Sequence, residues 1–237
     1  MLSQSASLVR SLLGRHLFFG RMPRVFGAVL AGSALGASLL GCGGDPSLAP
    51  DAPFAIRVVD YTPGAGGGFG ADKLPDIVLG APRGAGLRSG STDVLSLGTG
   101  GSLTLELGLA AVDGPGTDLL IFENAFRISG STALYVEPAR LEVSDDGTTW
   151  TAFPCDSLAA PYAGCAGLAP VLANADANAL DPQDPGAAGG DAFDLATIGV
   201  ARARFLRLTD AGHGRMDGAG TDGFDLDAVA VVHAEGQ

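Results

Sequence analysis

The carboxylates of this chain gather in three glycine-rich turns that share a vocabulary. Asp217-Gly218-Ala219-Gly220-Thr221-Asp222 continues as Gly223-Phe224-Asp225-Leu226-Asp227 and enters an apolar run over 228–232. Asp113-Gly114-Pro115-Gly116-Thr117-Asp118 has the same D-G-x-G-T-D form and opens the apolar run 119–122, while Asp191-Ala192-Phe193-Asp194-Leu195 repeats the D-x-F-D-L of 222–226. The chemistry such turns suit is capture of a hard divalent cation, which takes six to eight oxygens from carboxylates and exposed carbonyls. Glycines let a turn present its carbonyls, and the closing aspartate adds a carboxylate. On an extended strand Asp225 and Asp227 would share one face about 7 Å apart, with Phe224 and Leu226 facing the core. Glu123-Asn124 adds two oxygen donors at the end of the strand that Asp118 begins. The expected site is therefore calcium held by Asp113, Asp118, Glu123, Asn124, Asp191, Asp194, Asp222, Asp225 and Asp227. If the turns converge, Glu123, Asp191 and Asp194 should lie beside Asp225.

Two plainer readings compete with it. Aspartate and glycine make turns with side chains that cap nearby amides, which accounts for Asp145 and Asp146. Buried carboxylates need partners, and Arg202, Arg204 and Arg207 could supply them to Asp225 and Asp227. No span matches an EF-hand loop. Catalytic signatures are absent from the sequence: there is no G-x-S-x-G elbow and no H-E-x-x-H, and the three histidines, His16, His213 and His233, are far apart in the chain. Paired acids could hydrolyse a glycoside, but only at a defined separation. His213 and Arg215 sit beside the Asp217 turn, in a loop expected at one end of the domain, and are the candidate ligand-binding residues.

These groups must be positioned by short strands. The chain has 37 glycines and 14 prolines, and its apolar runs are brief and bounded by turn residues, an all-β signature. Strands are expected at 55–59, 77–79, 94–97, 102–107, 119–123, 140–144, 150–153, 202–208 and 224–232. The leucines of 102–107 alternate with Ser, Thr and Glu, whereas 119–123 is apolar on both faces and so central. Asp145-Asp146-Gly147 predicts a hairpin. Residues 155–195 read as a long ordered loop anchored by Tyr162, Leu168, Leu172, Leu180 and Phe193. The fold class is all-β, a single jelly-roll-like antiparallel β-sandwich over 54–235.

The amino-terminal stretch carries four arginines and no acid before Asp45, then an apolar small-residue run of 16 residues over 25–40. That run is short for a spanning helix, which needs roughly 20 residues. With Leu39-Leu40-Gly41-Cys42 it resembles a bacterial lipoprotein signal. The resemblance implies cleavage before Cys42, lipidation of its thiol, a signal over 1–41 and a lipidated tether over 42–53. It places the protein in the bacterial cell envelope, at the outer membrane or cell surface. Met22 to Cys42 is by itself a complete signal, so Met22 is the expected start of translation. The lipid takes Cys42, leaving Cys155 and Cys165 to pair in an oxidising compartment. Without the four leader arginines, 10 basic residues face 26 acidic ones, a net charge of −16. Such a surface excludes nucleic acid as a partner.

The run 141–150 (Leu-Glu-Val-Ser-Asp-Asp-Gly-Thr-Thr-Trp), with 203–208 and the closing 227–231, resembles the discoidin-type (galactose-binding-like) domains. These are jelly-roll modules that bind carbohydrate or surfaces and often hold a structural calcium. Val78-Leu79-Gly80-Ala81-Pro82, the run 96–102, Ile121-Phe122-Glu123-Asn124, Gly189 to Leu195 and Gly223 to Val229 are similar to bacterial cell-surface proteins found with PEP-CTERM sorting signals, over roughly 54–233. The segments 69–70 and 76–82 also look like one integrin-type propeller repeat, but no second repeat accompanies them. The cell-surface group carries no assigned activity; the sequence features together give the expectation of an exported lipoprotein with a non-catalytic, calcium-stabilised binding domain, whose ligand is a glycan or another surface protein. A glycan hydrolase or lyase on the same fold, and a purely structural or adhesive envelope protein, are the alternatives.

Overall fold

The computed structural model describes residues 48–212 and 223–236. The expected signal, Cys42, Asp222, His213 and Arg215 lie outside the described residues. Twelve strands and three short 3-10 turns make up the regular structure between them, so the chain is all-β with antiparallel pairing.

Strand β1 (Ala55–Thr62) is followed by β2 (Leu95–Ser96), β3 (Ser102–Val112) and β4 (Leu119–Phe122). The small hairpin of β5 (Phe126–Arg127) and β6 (Leu134–Tyr135) precedes β7 (Ala139–Ser144) and β8 (Thr151–Ala152). Strand β9 (Asp191–Phe193), β10 (Arg202–Asp210), β11 (Asp225–Leu226) and β12 (Ala228–Val231) complete the set. Strands β1-β3-β10-β7-β8 form one sheet and β12-β4-β9 a second, with β11-β2 and β5-β6 as two-stranded ribbons.

The leucine alternation works as expected. Leu103, Leu105 and Leu107 of β3 are fully buried, and with Leu141, Val143, Leu206 and Leu208 they join the inward residues of the second sheet, Leu119, Ile121, Phe193, Val229 and Val231. Burial of each such side chain contributes about 1.5–3 kcal/mol. The other face of the second sheet, Leu120, Phe122, Ala228 and Ala230, is covered by Ala52, Phe54, Val171, Ala173 and Ala188. That double cover is why β4 has no polar side chain. The domain begins slightly before residue 54, since Ala52 is buried and its carbonyl accepts from Leu109 N.

Several sequence expectations need correction. Residues 77 and 78 belong to a 3-10 turn, Asp76–Val78, in which both are buried, and Leu79 follows it with extended backbone; a three-residue apolar run is the same whether it packs as strand or turn. Strands β7 and β8 do form the expected hairpin, but its connection is longer than an Asp-Gly turn. Asp146 Oδ1 accepts from the amides of Thr148 and Thr149 at 2.7 Å, and these bonds hold its carboxyl well below the usual range. Leu172 and Leu180, expected as anchors of the long loop, are exposed, while Val171 and Ala188 are the buried ones.

Cys155 and Cys165 are disulfide-bonded, closing a loop with a sequence separation of 10. A loop of this size stabilises a fold by about 2–3 kcal/mol through the unfolded chain. Cys155→Ser with Cys165→Ser should lower the unfolding temperature by that equivalent; an unchanged temperature would mean the 155–165 segment adds nothing to the cooperative fold.

Candidate metal centre

The expected site residues do not form one group. They divide among three places, and among the described residues only Asp113, Asp118 and Asp194 bring three carboxylate oxygens within 4.8 Å of one another.

The Asp113 turn meets Asp194: one carboxylate oxygen each from Asp113, Asp118 and Asp194 lie within 4.8 Å of one another. Asp118, however, is fully buried and already occupied. Its Oδ1 accepts from Gly114 N at 2.9 Å and lies 2.9 Å from His233 Nδ1, and its Oδ2 accepts from Leu195 N at 2.8 Å. Asp194 caps the 3-10 turn Leu195–Ile198 by accepting from Ala196 N. Asp118 therefore ties a turn, the end of β9 and the carboxy-terminal segment together, which is the capping reading of these residues.

Asp227 is a second structural tie. Both of its oxygens accept from Arg83 N at 2.9 Å. Burial first, and then the nearby Asp93, push its carboxyl up to about 7. The expectation that Asp225 and Asp227 share a face along one strand fails because the strand changes partners between them. Asp225 pairs with Ser96 of β2, whereas Ala228 pairs with Phe122 of β4.

The third place is built around Asp225, Glu123 and Glu137. Asp225 stands opposite Ser96, and its Oδ2 is 3.5 Å from Asn124 Nδ2. Glu123 follows β4 and is 2% exposed; burial, then Asp225, Glu137 and Asp191, hold its carboxyl well above the usual range. Glu137, also 2% exposed, lies between β6 and β7 and accepts from Gly223 N at 2.9 Å and from the Tyr135 hydroxyl. Burial, with Asp225 and Asp210 adding repulsion, pushes it up to about 8. Burial also raises Asp225, while the neighbouring Ser96 hydroxyl and Asn124 amide temper the rise.

What distinguishes this place is its vacant acceptors. Among the described residues, the buried side-chain oxygens and nitrogens without a hydrogen-bond partner are Ser96 Oγ, Glu123 Oε2 and Asp225 Oδ1. All three belong here. The Ser96 hydroxyl neighbours the Asp225 carboxyl and favours its ionised form, so a small rotation would let these two groups satisfy each other. Buried polar groups left unpaired cost about 1–3 kcal/mol each, and Glu123 Oε2 is the one for which no neighbouring donor is seen among the described residues. A hard cation fits the donor set, which is all oxygen and holds neither histidine nor cysteine.

The arginines offered as an alternative do not reach it. Arg202 pairs with Asp145 and Glu235, Arg204 with Glu106, and Arg207 with Glu142 while lying over Trp150. Asp191 sits near Glu123 but is turned to the segment just after the disulfide, accepting from Gly167 N and Leu168 N; burial pushes it up to about 6. The D-x-F-D-L repeat thus sends its two aspartates to different places.

Sequence reasoning missed three residues. Glu137 and Asp210 lie in segments with no motif. Asp210 accepts from Gly100 N, Gly212 N and Phe224 N, so one carboxylate ties these three backbone positions together. Ser96, a serine inside the apolar Val94-Leu95-Ser96-Leu97, was the one legible signal.

No protein-family model matches the chain, and the search of curated proteins found no match.

Proposed function

We propose that this is an exported, lipid-anchored bacterial protein whose β-sandwich is stabilised by calcium at Glu123, Glu137 and Asp225 and serves as a non-catalytic binding module at the cell surface, with carbohydrate as its ligand. The observation that carries the cation is the coincidence of three unpartnered buried oxygens, on Ser96, Glu123 and Asp225, with mutually repelling carboxylates. Glu123, Glu137 and Asp225 would have to close on the ion to hold it, since among the described residues only Asp113, Asp118 and Asp194 already bring three carboxylate oxygens within 4.8 Å. The ion would supply the positive charge that lets them ionise inside the fold. The residues themselves join β2, β4, β6, β7 and β11, so filling the site would fasten the two ribbons to the main sheets. The lipobox at Cys42 and the disulfide fit the address, and the acidic surface fits an exported protein with no nucleic-acid role.

A glycan hydrolase is the second reading, because Glu137, pushed up to about 8 beside a raised Glu123, is the pattern of an acid–base pair. Access weighs against it. Both residues are only 2% exposed, which leaves neither carboxyl presented at the surface to a sugar ring.

The pH dependence tests the site. For a carboxyl whose folded value is raised, stability is full below its unfolded value and is lost as pH rises through the folded one. Stripped of cations, the protein should lose stability between about pH 4.5 and pH 8, the interval spanned by Glu137. With calcium present the loss should disappear, because the ion binds only the deprotonated form. Parallel pH profiles with and without chelator would count against the site.

A further inference from the structure

Nine basic residues lie among the described ones, and in so acidic a chain most are claimed. Arg57, Arg83, Arg202, Arg204 and Arg207 are in ion pairs, and Arg140 donates to Ser157. Among the described residues Lys73, Arg88 and Arg127 have neither an ion pair nor a side-chain hydrogen bond and are exposed, and of these the two arginines share one place. Arg88 and Arg127 line the same open surface cavity, of about 460 Å³, together with Ile128, Ser129, Ser131 and Thr132. Two arginines without an acidic partner among the described residues, at one cavity, mark a place where the partner comes from outside.

The cavity is held by backbone bonds. Arg127 N donates to Leu87 O at 2.7 Å, fixing the β5–β6 hairpin against the segment that bears Arg88. The hairpin's own turn is closed by Ile128 N to Ala133 O and by Ala133 N to Ser131 Oγ, both at 3.0 Å. Phe126 and Tyr135 pack at the hairpin's root with ring centroids 5.3 Å apart. We infer that this cavity binds an acidic saccharide, the two guanidinium groups taking a carboxylate or sulfate and the Ser129, Ser131 and Thr132 hydroxyls taking sugar hydroxyls. Arginine's fork of donors matches such planar or tripodal oxyanions.

The same hairpin is rooted in the carboxylate group. Asn124 Oδ1 accepts from Ser91 N, and Ser91 Oγ donates to Arg83 O, which braces the Arg88 segment; Tyr135 donates to Glu137 at the hairpin's other end. Filling the cation site would therefore brace both walls of the cavity, so acidic-saccharide binding should strengthen in calcium. This inference rests on the carbohydrate reading above.

The test is binding of the full-length protein to immobilised uronate, sulfated and neutral oligosaccharides of equal length, with calcium and with chelator, alongside thermal unfolding in both conditions. Acidic oligosaccharides should bind at least tenfold more tightly than neutral ones. Uronate-only and sulfate-only binding both support the site and identify the group it takes. Added salt should weaken the binding. Arg88→Ala with Arg127→Ala should abolish the acidic preference at an unchanged unfolding temperature, since both side chains are exposed. Equal binding of neutral and acidic sugars, or full acidic binding by the double variant, overturns the inference. A calcium-raised unfolding temperature with no acidic preference overturns this cavity alone and leaves the cation site standing.

Discussion

Glu123→Gln should leave the cation-free protein at least as stable as the wild type near pH 8, and remove most of the stabilisation that calcium gives. Glu123 is buried, its Oε2 has no donor, and Asp225 and Glu137 repel its charge. Glutamine keeps the shape and one oxygen but carries no charge, so it relieves the repulsion in the empty site. In the filled site it removes a ligand. For the wild type, calcium at about a hundred times its dissociation constant adds roughly 2.7 kcal/mol. In a domain of this size each kcal/mol moves the unfolding temperature by about 2–4 °C, so a rise of roughly 5–10 °C is expected. Scanning calorimetry of both proteins, with calcium and with chelator, reads the effect. A variant destabilised equally in both conditions would make Glu123 a packing residue.

Asp118→Ala should be damaging in both conditions. The carboxylate is fully buried and is met by Gly114 N, Leu195 N and His233 Nδ1. Truncation leaves these polar groups without their acceptor and loosens three segments at once. At about 1–3 kcal/mol for each buried group left unpaired, and with relaxation at the partly exposed His233, the loss should be on the order of 3–5 kcal/mol, or about 10 °C in unfolding temperature. The contrast with Glu123 separates the two acidic groups. Should calcium stabilise the wild type and leave Asp118→Ala unmoved, the ion belongs with Asp113, Asp118 and Asp194 instead.

The sequence was informative where a residue's role is set by its nearest neighbours. The leucines of β3 announce a strand with one buried face, the unbroken apolar run of β4 announces a strand covered twice, and the two remaining cysteines pair. Glu123, Asn124 and Asp225 were legible as oxygen donors because each lies in or beside a segment otherwise built for burial. It failed where a role depends on which strand lies opposite. Asp225 and Asp227 look alike in sequence, but the chain crosses from β2 to β4 between them, and only Asp225 meets Glu123. Asp191 and Asp194 separate for a similar reason, one turned to the segment just after the disulfide and one capping the turn after β9. Glu137 reaches the site from the β6–β7 connection, whose sequence resembles none of the three acidic turns.

The shared grammar of those turns thus has two causes. Around Asp118 it is backbone capping, complete within the protein. Around Asp225 the oxygens outnumber the donors, and the imbalance is what a cation would correct. Titration of calcium into chelator-stripped full-length protein at about pH 7.5, followed by calorimetry in two buffers of different ionisation heat, tests this directly. The account predicts saturable binding of a single ion, with protons released as Glu123 and Glu137 ionise. A folded protein that takes up no calcium at millimolar concentration would contradict it.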